Sequence, residues 1–513
     1  MAKPIPIFYN ALLLTAVNLL LRMVGTGFQV YISRRMGSAG VGLLQLTMSV
    51  GSFALVAGMA GIRTATMYIT ASSLGRREKG QVPWILSGCF RYSLLFGCTA
   101  AALLYWFAPA IAVHWIRDSR IIGSLRFIAL FLPVVCLNGV MTGYFTAACR
   151  IRTLAAVEVA EQMLTMAATM GLLTCWAGAD ITRACESVIL GSSAGSCFTL
   201  VCLTVLRLSE GERPGLPRPL ARTLMDTALP LGTADVLKTG INTVENLMVP
   251  RRLSLCTHIV NPLAAFGILS GMVFPVVMFP ACILFGLCEL LIPELSRCDA
   301  AGSTVRIRYL CRKALRISLL YGSLFSGGMF LLSDWLCLRL YGSLEAALQL
   351  KCYALLIPML YADAITDAMT KGLGQQRKSV FYNILTASLD VAFLYLLLPR
   401  FGMAGYFLSF LVTHGINFGL SLRLLLSITG QKIRLSVPVT TLGCMVLAMG
   451  GAGFFSSWLL RLGAYAGLLM SLWTLLGIVS RADTIWLRNL LRPKCFGTKN
   501  PPPTVHSNAT VRV

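Results

Sequence analysis

Four residues of one largely apolar stretch, Asp235, Lys238, Asn242 and Glu245, follow one another at intervals of three, four and three. On an α-helix that spacing lines them along one face. Hydrocarbon does not tolerate a face carrying three charges, so the stripe faces either a water-filled cavity or neighbouring helices. In the first case it binds a charged solute or a cation; in the second it is a polar seam that holds helices together. Asp235 and Lys238, one turn apart, are expected to neutralise each other. Asp363, Asp367 and Lys371 repeat the pattern at four-residue steps. Two carboxyls held close in low dielectric share a proton, the requirement for coupling to a proton or sodium gradient; the alternative is that they pair with cations on other helices. Arg22 and Arg63 also stand in apolar surroundings. The Arg22 guanidinium is suited to clasp a pyrophosphate by two parallel hydrogen bonds, or to pair with a structural carboxylate. Arg63, near the expected end of its apolar run, either lines the same cavity or snorkels to headgroups. Glu161 is a third candidate for ion coupling, with Glu158, Glu289 and Asp390 as further intramembrane carboxylates.

The elements that must position these residues follow from composition. A chain of 513 residues that is 56% hydrophobic and only 12% charged, with a mean hydropathy of +0.75, cannot cover a water-soluble globule with polar surface. A helix crosses the hydrocarbon with about 20 residues. Six uncharged stretches of that size are clear, at 36–62, 92–116, 127–149, 187–206, 401–422 and 435–460. Less pure ones lie at roughly 7–30, 154–178, 223–250, 264–290, 311–333, 350–372, 378–399 and 462–480. The expectation is an all-α integral membrane protein of about fourteen transmembrane helices. Barrel strands are excluded, because runs such as LLLTAVNLLL do not alternate in polarity. Pro230, Pro275 and Pro280 are expected to kink their helices and act as hinges.

Charge sets orientation and excludes partners. With the N-terminus inside, roughly 28 Lys and Arg fall in cytoplasmic loops and about 11 outside, so both termini are expected in the cytoplasm. The net charge of +24 is scattered over short loops with no basic patch interleaved with aromatics, which argues against nucleic acid and for anionic membrane lipids. Seventeen cysteines without a CxxC read as small buried hydrophobes, and four isolated histidines offer no metal site; no cofactor is implied. The stretch GLGQQRKS at 372–379 approximates a phosphate-binding loop, but Arg377 replaces the second glycine and no strand precedes it. Loops of about fourteen residues leave no room for a soluble catalytic domain, so an enzyme is not expected. The apolar N-terminal run lacks a small-residue cleavage site and reads as a first span.

The Pro- and Gly-rich stretch LSEGERPGLPRPLA divides the chain. The reading is a six-helix bundle at 1–207, a cytoplasmic linker at 208–221, a second six-helix bundle at 222–430, two further helices within 431–490, and a disordered cytoplasmic tail at 491–513. The fourth and tenth spans end alike, in NGVMTGYFTAACRIRT and ADAITDAMTKGLGQQRKS, the mark of an internal repeat with its cavity between the halves.

Five stretches carry a family likeness: VNLLLRMVGTGFQVYISRRMGSAGVGLLQL, AGIRTATMYITA, GYFTAACRIRTLAAVEVAEQ, VENLMVPRRL and GILSGMVFPVVMFPACILFGLCELLIPELS. Over about residues 5–425 the chain resembles the stage V sporulation protein B group of the multidrug/oligosaccharidyl-lipid/polysaccharide (MOP) exporter superfamily. The resemblance implies two six-helix bundles forming a V in a bacterial plasma membrane. It also implies alternating access and export of a lipid-linked saccharide, with a peptidoglycan precursor for spore cortex as the obvious candidate. The group's usual proline after GI is Arg63 here. Lipid II flippases of the same superfamily use arginines in their first spans, which favours Arg22 as a substrate contact. The other reading of this fold is a proton- or sodium-coupled antiporter of organic cations. A cationic cavity suits the first and an anionic cavity the second. The working unit is expected to be a monomer, driven by an ion gradient or the membrane potential.

Overall fold

A computed structural model of the chain describes residues 5–76, 78–178, 180–209, 221–431 and 436–478. These residues are almost wholly helical, as a chain surrounded by lipid must be if every backbone N–H and C=O is to find a partner within its own segment. Two helical runs are too long for one crossing. Ile5–Met59 has 55 residues and Gln376–Thr429 has 54, and a straight helix of that length measures about 80 Å against roughly 30 Å of hydrocarbon. One glycine folds each run: Gly37, at φ 70° and ψ 174°, and Gly402, at φ 56° and ψ −132°.

The chain turns back at both. Ser33 and Val41, four residues either side of Gly37, both meet Gly271: the Ser33 hydroxyl donates to its carbonyl at 3.3 Å, and a side chain there would collide with Val41. Around Gly402, Gly405 lies against the Leu397 carbonyl, the Ser409 hydroxyl reaches the Asp390 carboxylate, and Thr386 meets Asn417. The described rods are thus α1 (5–36), α2 (38–75), α3 (82–116), α4 (Ile122–Ala147), α5 (151–177), α6 (Ile181–Leu208) and α7 (Ala221–Leu253), then α8 (262–300), α9 (Thr304–Tyr341), α10 (344–372), α11 (376–401), α12 (403–429), α13 (Ser436–Ala452) and α14 (Trp458–Leu475). By length and apolarity alone, seven helical runs among the described residues qualify to cross a membrane, the two folded at Gly37 and Gly402 each counted once. Nine do if the bent pairs in α8 (60°) and α10 (55°) each count as one.

Several expected boundaries are corrected. The span expected at 36–62 begins after Gly37 and continues past a left-handed turn at Ala60–Gly61 into Ile62–Gly75. Arg63 therefore stands in the first turn of a second helical piece, not near the end of the rod. The span expected at 435–460 stops at Ala452, where a glycine- and serine-rich turn precedes Trp458, so the last two rods divide earlier than expected. The hinge expected at Pro280 is the 60° bend of α8, and Pro275 follows a widened π turn at Leu269–Val273. Pro230 breaks nothing: α7 is continuous through it, and its neighbours Ala228 and Gly232 pack directly on the Ala60–Gly61 turn. Cys98, Cys149, Cys175 and Cys352 are exposed and not buried as expected, since a thiol is apolar enough to face lipid. The stretch expected as a linker lies outside the described residues except Leu208, Ser209 and Ala221, and the expected tail lies wholly outside them.

Small residues set the helix spacing, because van der Waals contact between backbones replaces the hydrophobic drive inside a bilayer. Gly42 lies on the Leu263 carbonyl and Gly267 on Ser38 and Gly42, joining the α1–α2 turn to α8; Gly191 and Gly195 of α6 seat Thr169 and Thr165 of α5. The similar ends of the fourth and tenth spans form the same helix-end turn, which also recurs at Gly302 and Gly477. Cys149 N–H donates to Thr146 O and Arg150 N–H to Phe145 O; Gly374 N–H donates to Lys371 O and Gln375 N–H to Thr370 O. Cys149 and Gly374 both adopt positive φ, 56° and 74°. The last two rods pack on α9, where the Tyr465 hydroxyl donates to Ser323 O at 2.6 Å and Trp335 stacks on Trp458 with centroids 4.3 Å apart.

Candidate functional site

The candidate residues fall into two groups: a set of exposed charges where α1, α2, α5, α7 and α8 approach one another, and a polar network among α7, α10, α11 and α12. Arg22 projects from α1 towards α8, its guanidinium carbon 4.8 Å from the centre of the Phe285 ring. No carboxylate pairs with it among the described residues, so its partner is an aromatic face and not the structural carboxylate weighed above. The residue is exposed although the rod is apolar. Arg63 is also exposed and lies within electrostatic reach of Glu158, which in turn feels Glu161 one turn on. Glu161 packs against Gly195 of α6.

Asp235, Lys238 and Asn242 are all exposed on α7. Asp235 and Lys238 form no ion pair, contrary to expectation. The reason is solvation: a hydrated pair gains at most about 1 kcal/mol and loses side-chain freedom to hold one geometry. Next to that face α7 is joined to α2, where Thr243 donates to Ser49 O at 3.1 Å and Asn246 Nδ2, one turn from Asn242, to Ser49 Oγ at 3.0 Å.

Glu245 departs from the rest of its stripe. It is only partly exposed and turns towards Asp390 of α11 and the Tyr406 hydroxyl of α12. Asp390 is 7% exposed, and its Oδ1 accepts from Ser409 at 2.5 Å and from Thr413 at 3.1 Å. A turn further on, Asn417 Nδ2 donates to both oxygens of Asp363, at 3.1 and 3.0 Å, while Thr386 donates to Asn417 Oδ1 at 3.4 Å.

Asp363 and Asp367 are therefore not the proton-sharing pair expected. Asp367 is held separately by Lys371 Nζ at 2.5 Å and by the Ser379 hydroxyl. Nor do the two take cations from other helices, because Lys371 is one turn away on the same helix and the partner of Asp363 is a neutral amide. The carboxyls that do meet are Glu245 and Asp390, 145 residues apart. Asp390 stands only among the further carboxylates of the sequence, and its partners on α12 are absent there. A signal for them existed: Tyr406, Ser409, Thr413 and Asn417 follow at three, four and four, a polar stripe on an otherwise apolar helix.

Two neighbouring carboxyls in low dielectric repel each other when both are charged, so the pair is stabilised by one proton or one monovalent cation. The surrounding hydroxyls supply donors and acceptors for either. Because the pair includes Glu245, its occupancy bears on the helix that is hydrogen-bonded to α2 through Asn246.

Comparison with known proteins agrees with this architecture. A family model described as polysaccharide biosynthesis protein matches residues 31–257. Stage V sporulation protein B of Bacillus subtilis (strain 168) is 22% identical over 401 residues, covering 76% of this chain and 77% of that protein, so the likeness read from the sequence is borne out. Among solved structures, the lipid II flippase MurJ in an inward closed conformation superposes with a TM-score of 0.66 at 12% identity, over 94% of this chain and all of that one. An inward-facing multidrug resistance MATE family transporter of the MOP superfamily gives 0.65 at 13% identity, over 82% of this chain and all of that one. The chain is a multi-pass membrane protein with the fold of the MOP superfamily transporters.

Proposed function

From that kinship and the placement of its charges, we propose that the chain flips a lipid-linked saccharide, a peptidoglycan or polysaccharide precursor, across a bacterial plasma membrane by alternating access. The observation that carries this reading is Arg22: an exposed guanidinium between an α1 and an α8 that belong to opposite halves, steadied on Phe285 and without a carboxylate partner among the described residues. A planar fork in that position is matched to two phosphate oxygens of a pyrophosphate linkage. Arg63 and Lys238 add positive charge on α2 and α7, and Asp235 and Asn242 supply acceptors and donors for a sugar. Anionic lipids surround a monomer with both termini in the cytoplasm.

The driving step in this proposal is loading and release of a proton or sodium ion at Glu245 and Asp390. Glu245 sits on α7, and α7 is tied to α2 by the Thr243 and Asn246 hydrogen bonds, so a change in the charge of the pair alters the helix that joins the halves. Asp363, Asp367 and Glu161, first considered for this role, are secondary: Asp363 has two amide hydrogen bonds and Asp367 a lysine.

A second reading has its own support. Buried carboxyls inside the second half also suit exchange of an organic cation for protons or sodium, and a multidrug transporter shares the fold. The two are separated by headgroup accessibility of a labelled lipid-linked peptidoglycan precursor in liposomes holding the purified chain. Flipping by the parent that collapses in Arg22→Ala supports the lipid-linked substrate. Absence of flipping by the folded parent under imposed proton and sodium gradients sinks it and favours the antiporter.

A further inference from the structure

α8 consists of two pieces, Pro262–Met278 and Ala281–Ala300, set at 60° to each other. Pro280 is the cause. It has no N–H to offer Val276 O, which takes the Phe279 N–H at 3.3 Å instead, and Pro280 O accepts from the Ile283 N–H at 3.3 Å. These bonds reach over three residues where a regular helix reaches over four, and they leave carbonyl oxygens at the bend with lone pairs to spare. Inside a bilayer no bulk water meets that need, so neighbouring helices must. Two tyrosines do so. The Tyr361 hydroxyl of α10 donates to Val277 O at 2.8 Å, and the Tyr321 hydroxyl of α9 donates to Pro280 O at 2.7 Å. Their rings stand 6.0 Å apart, and Tyr361 is buried. The bend is pinned from two helices and is not a loose joint.

The two pieces have different attachments. The first lies on the α1–α2 turn, through Gly267 on Ser38 and Gly42 and through the Ser33 bond to Gly271 O. The second lies along α10: the Cys288 thiol reaches Ala364 O at 3.7 Å, and Gly372 packs on Ile292. Phe285 belongs to this second piece, just past the bend, and its ring carries the Arg22 guanidinium. Where Phe285 stands relative to α1 therefore depends on the bend angle. At a rise of about 1.5 Å per residue, a change of about 20° in that angle moves the Phe285 backbone by roughly 2–3 Å.

We propose that Tyr321 and Tyr361 are positioning residues: by holding the carbonyls of Pro280 and Val277 they fix the angle of α8 and so keep the Phe285 ring beneath the Arg22 guanidinium. Phenylalanine at both positions keeps the rings and removes only the two donors, which frees α8 to straighten while the packing around it stays. For its effect on transport the inference rests on the reading of Arg22 as a substrate contact; for the bend it rests on α8 and the two tyrosines alone.

The first arm of the test needs no substrate. Spin labels are introduced at Val260 and Arg297 as unnatural amino acids, which leaves the native cysteines in place, and their separation is measured by double electron resonance in the purified full chain. With pieces of about 25 and 30 Å, complete straightening from 60° lengthens the span by roughly 7 Å. The expected result is a narrow distribution in the parent and one moved to longer distance by about 2 Å or more in Y321F/Y361F. Identical distributions overturn the proposal. Either single variant, which loses one donor, serves this arm if the double variant does not fold. The second arm is flipping of the labelled lipid-linked precursor in proteoliposomes. Y321F/Y361F is expected to flip at least about fivefold more slowly than the parent and to add nothing to the loss in Arg22→Ala, because both changes disable one contact. A further loss of the same size in the Arg22→Ala background overturns the action through Arg22. A parent that flips no precursor removes the reading of the substrate, and the distance measurement then decides the role of the tyrosines by itself.

Discussion

Replacing Asp390 by asparagine and by alanine separates structure from coupling at the buried network. Asp390 Oδ1 accepts two hydroxyl hydrogen bonds, from Ser409 at 2.5 Å and Thr413 at 3.1 Å, and the residue faces Glu245. Asparagine keeps an acceptor for both hydroxyls and offers its amide N–H to the Glu245 carboxyl, so its expected cost is within about 1 kcal/mol. Alanine removes that shared acceptor, leaving Thr413 its bond to Ser409 O at 2.9 Å and Ser409 a longer contact with the residue-390 carbonyl at 3.5 Å. At the membrane average of about 0.6 kcal/mol per bond the loss is about 1.2 kcal/mol, and at about 1.5 kcal/mol for bonds to a charged acceptor it is about 3. The Asn and Ala variants are thus predicted to differ by about 1–3 kcal/mol in reversible unfolding from mixed micelles. Both lose the acceleration of transport by an imposed pH or sodium gradient, because neither retains a second ionisable carboxyl beside Glu245. The assay is flipping in proteoliposomes with and without the gradient. An Asp390→Asn chain that still responds fully to both gradients refutes the coupling role, and an Asp390→Ala chain as stable as the parent refutes the network.

Other substitutions probe the remaining pieces. Arg22→Ala is expected to slow flipping by tenfold or more, equivalent to about 1.4 kcal/mol, with Arg22→Lys in between because it keeps charge but loses the fork; equal activity of all three would remove Arg22 from the substrate path. Gly267→Ala drives a methyl group into the Ser38 carbonyl and Gly42, backbone atoms that cannot swing aside, and is expected to cost about 1–3 kcal/mol in the same unfolding assay; a neutral outcome contradicts the close α2–α8 contact. Cys149→Gly relieves a side chain at φ 56° where the repeated turn already has Gly374, so a higher melting temperature is expected than for Cys149→Ala. In the turn between α3 and α4, Arg120 forms a two-pronged bond that holds the Asp118 carboxyl below its ordinary range. Its stabilising effect is complete above the unfolded value near pH 4 and fades as pH falls through the lower folded value. With Arg120 half exposed, Asp118→Asn should cost under about 1 kcal/mol at neutral pH, and the gap in melting temperature from the parent should narrow below about pH 4.

Much was legible in the residues alone. Apolar runs located every rod, because burial in hydrocarbon is a property of composition over about 20 residues and needs no partner. The matching ends of the fourth and tenth spans became the same turn with the same hydrogen bonds at 145–150 and 370–375, since local backbone geometry follows local sequence. Helical periodicity placed Asp235, Lys238 and Asn242 together on a face that lipid cannot cover, and they are exposed. Periodicity is silent, however, about what stands opposite a face. Asp363 and Asp367 share a helix and a spacing yet have different partners, Asn417 from α12 and Lys371 from their own helix. Glu245 shares a stripe with Lys238, but helix packing turned it towards Asp390, whose hydroxyl partners Ser409 and Thr413 return to it because the chain folds back at Gly402. Which residues lie along one helix is decided by 3.6 residues per turn; which helices meet is decided by small-residue contacts such as Gly42 with Leu263 and Gly267 with Ser38, and those exist only once the bundle has formed.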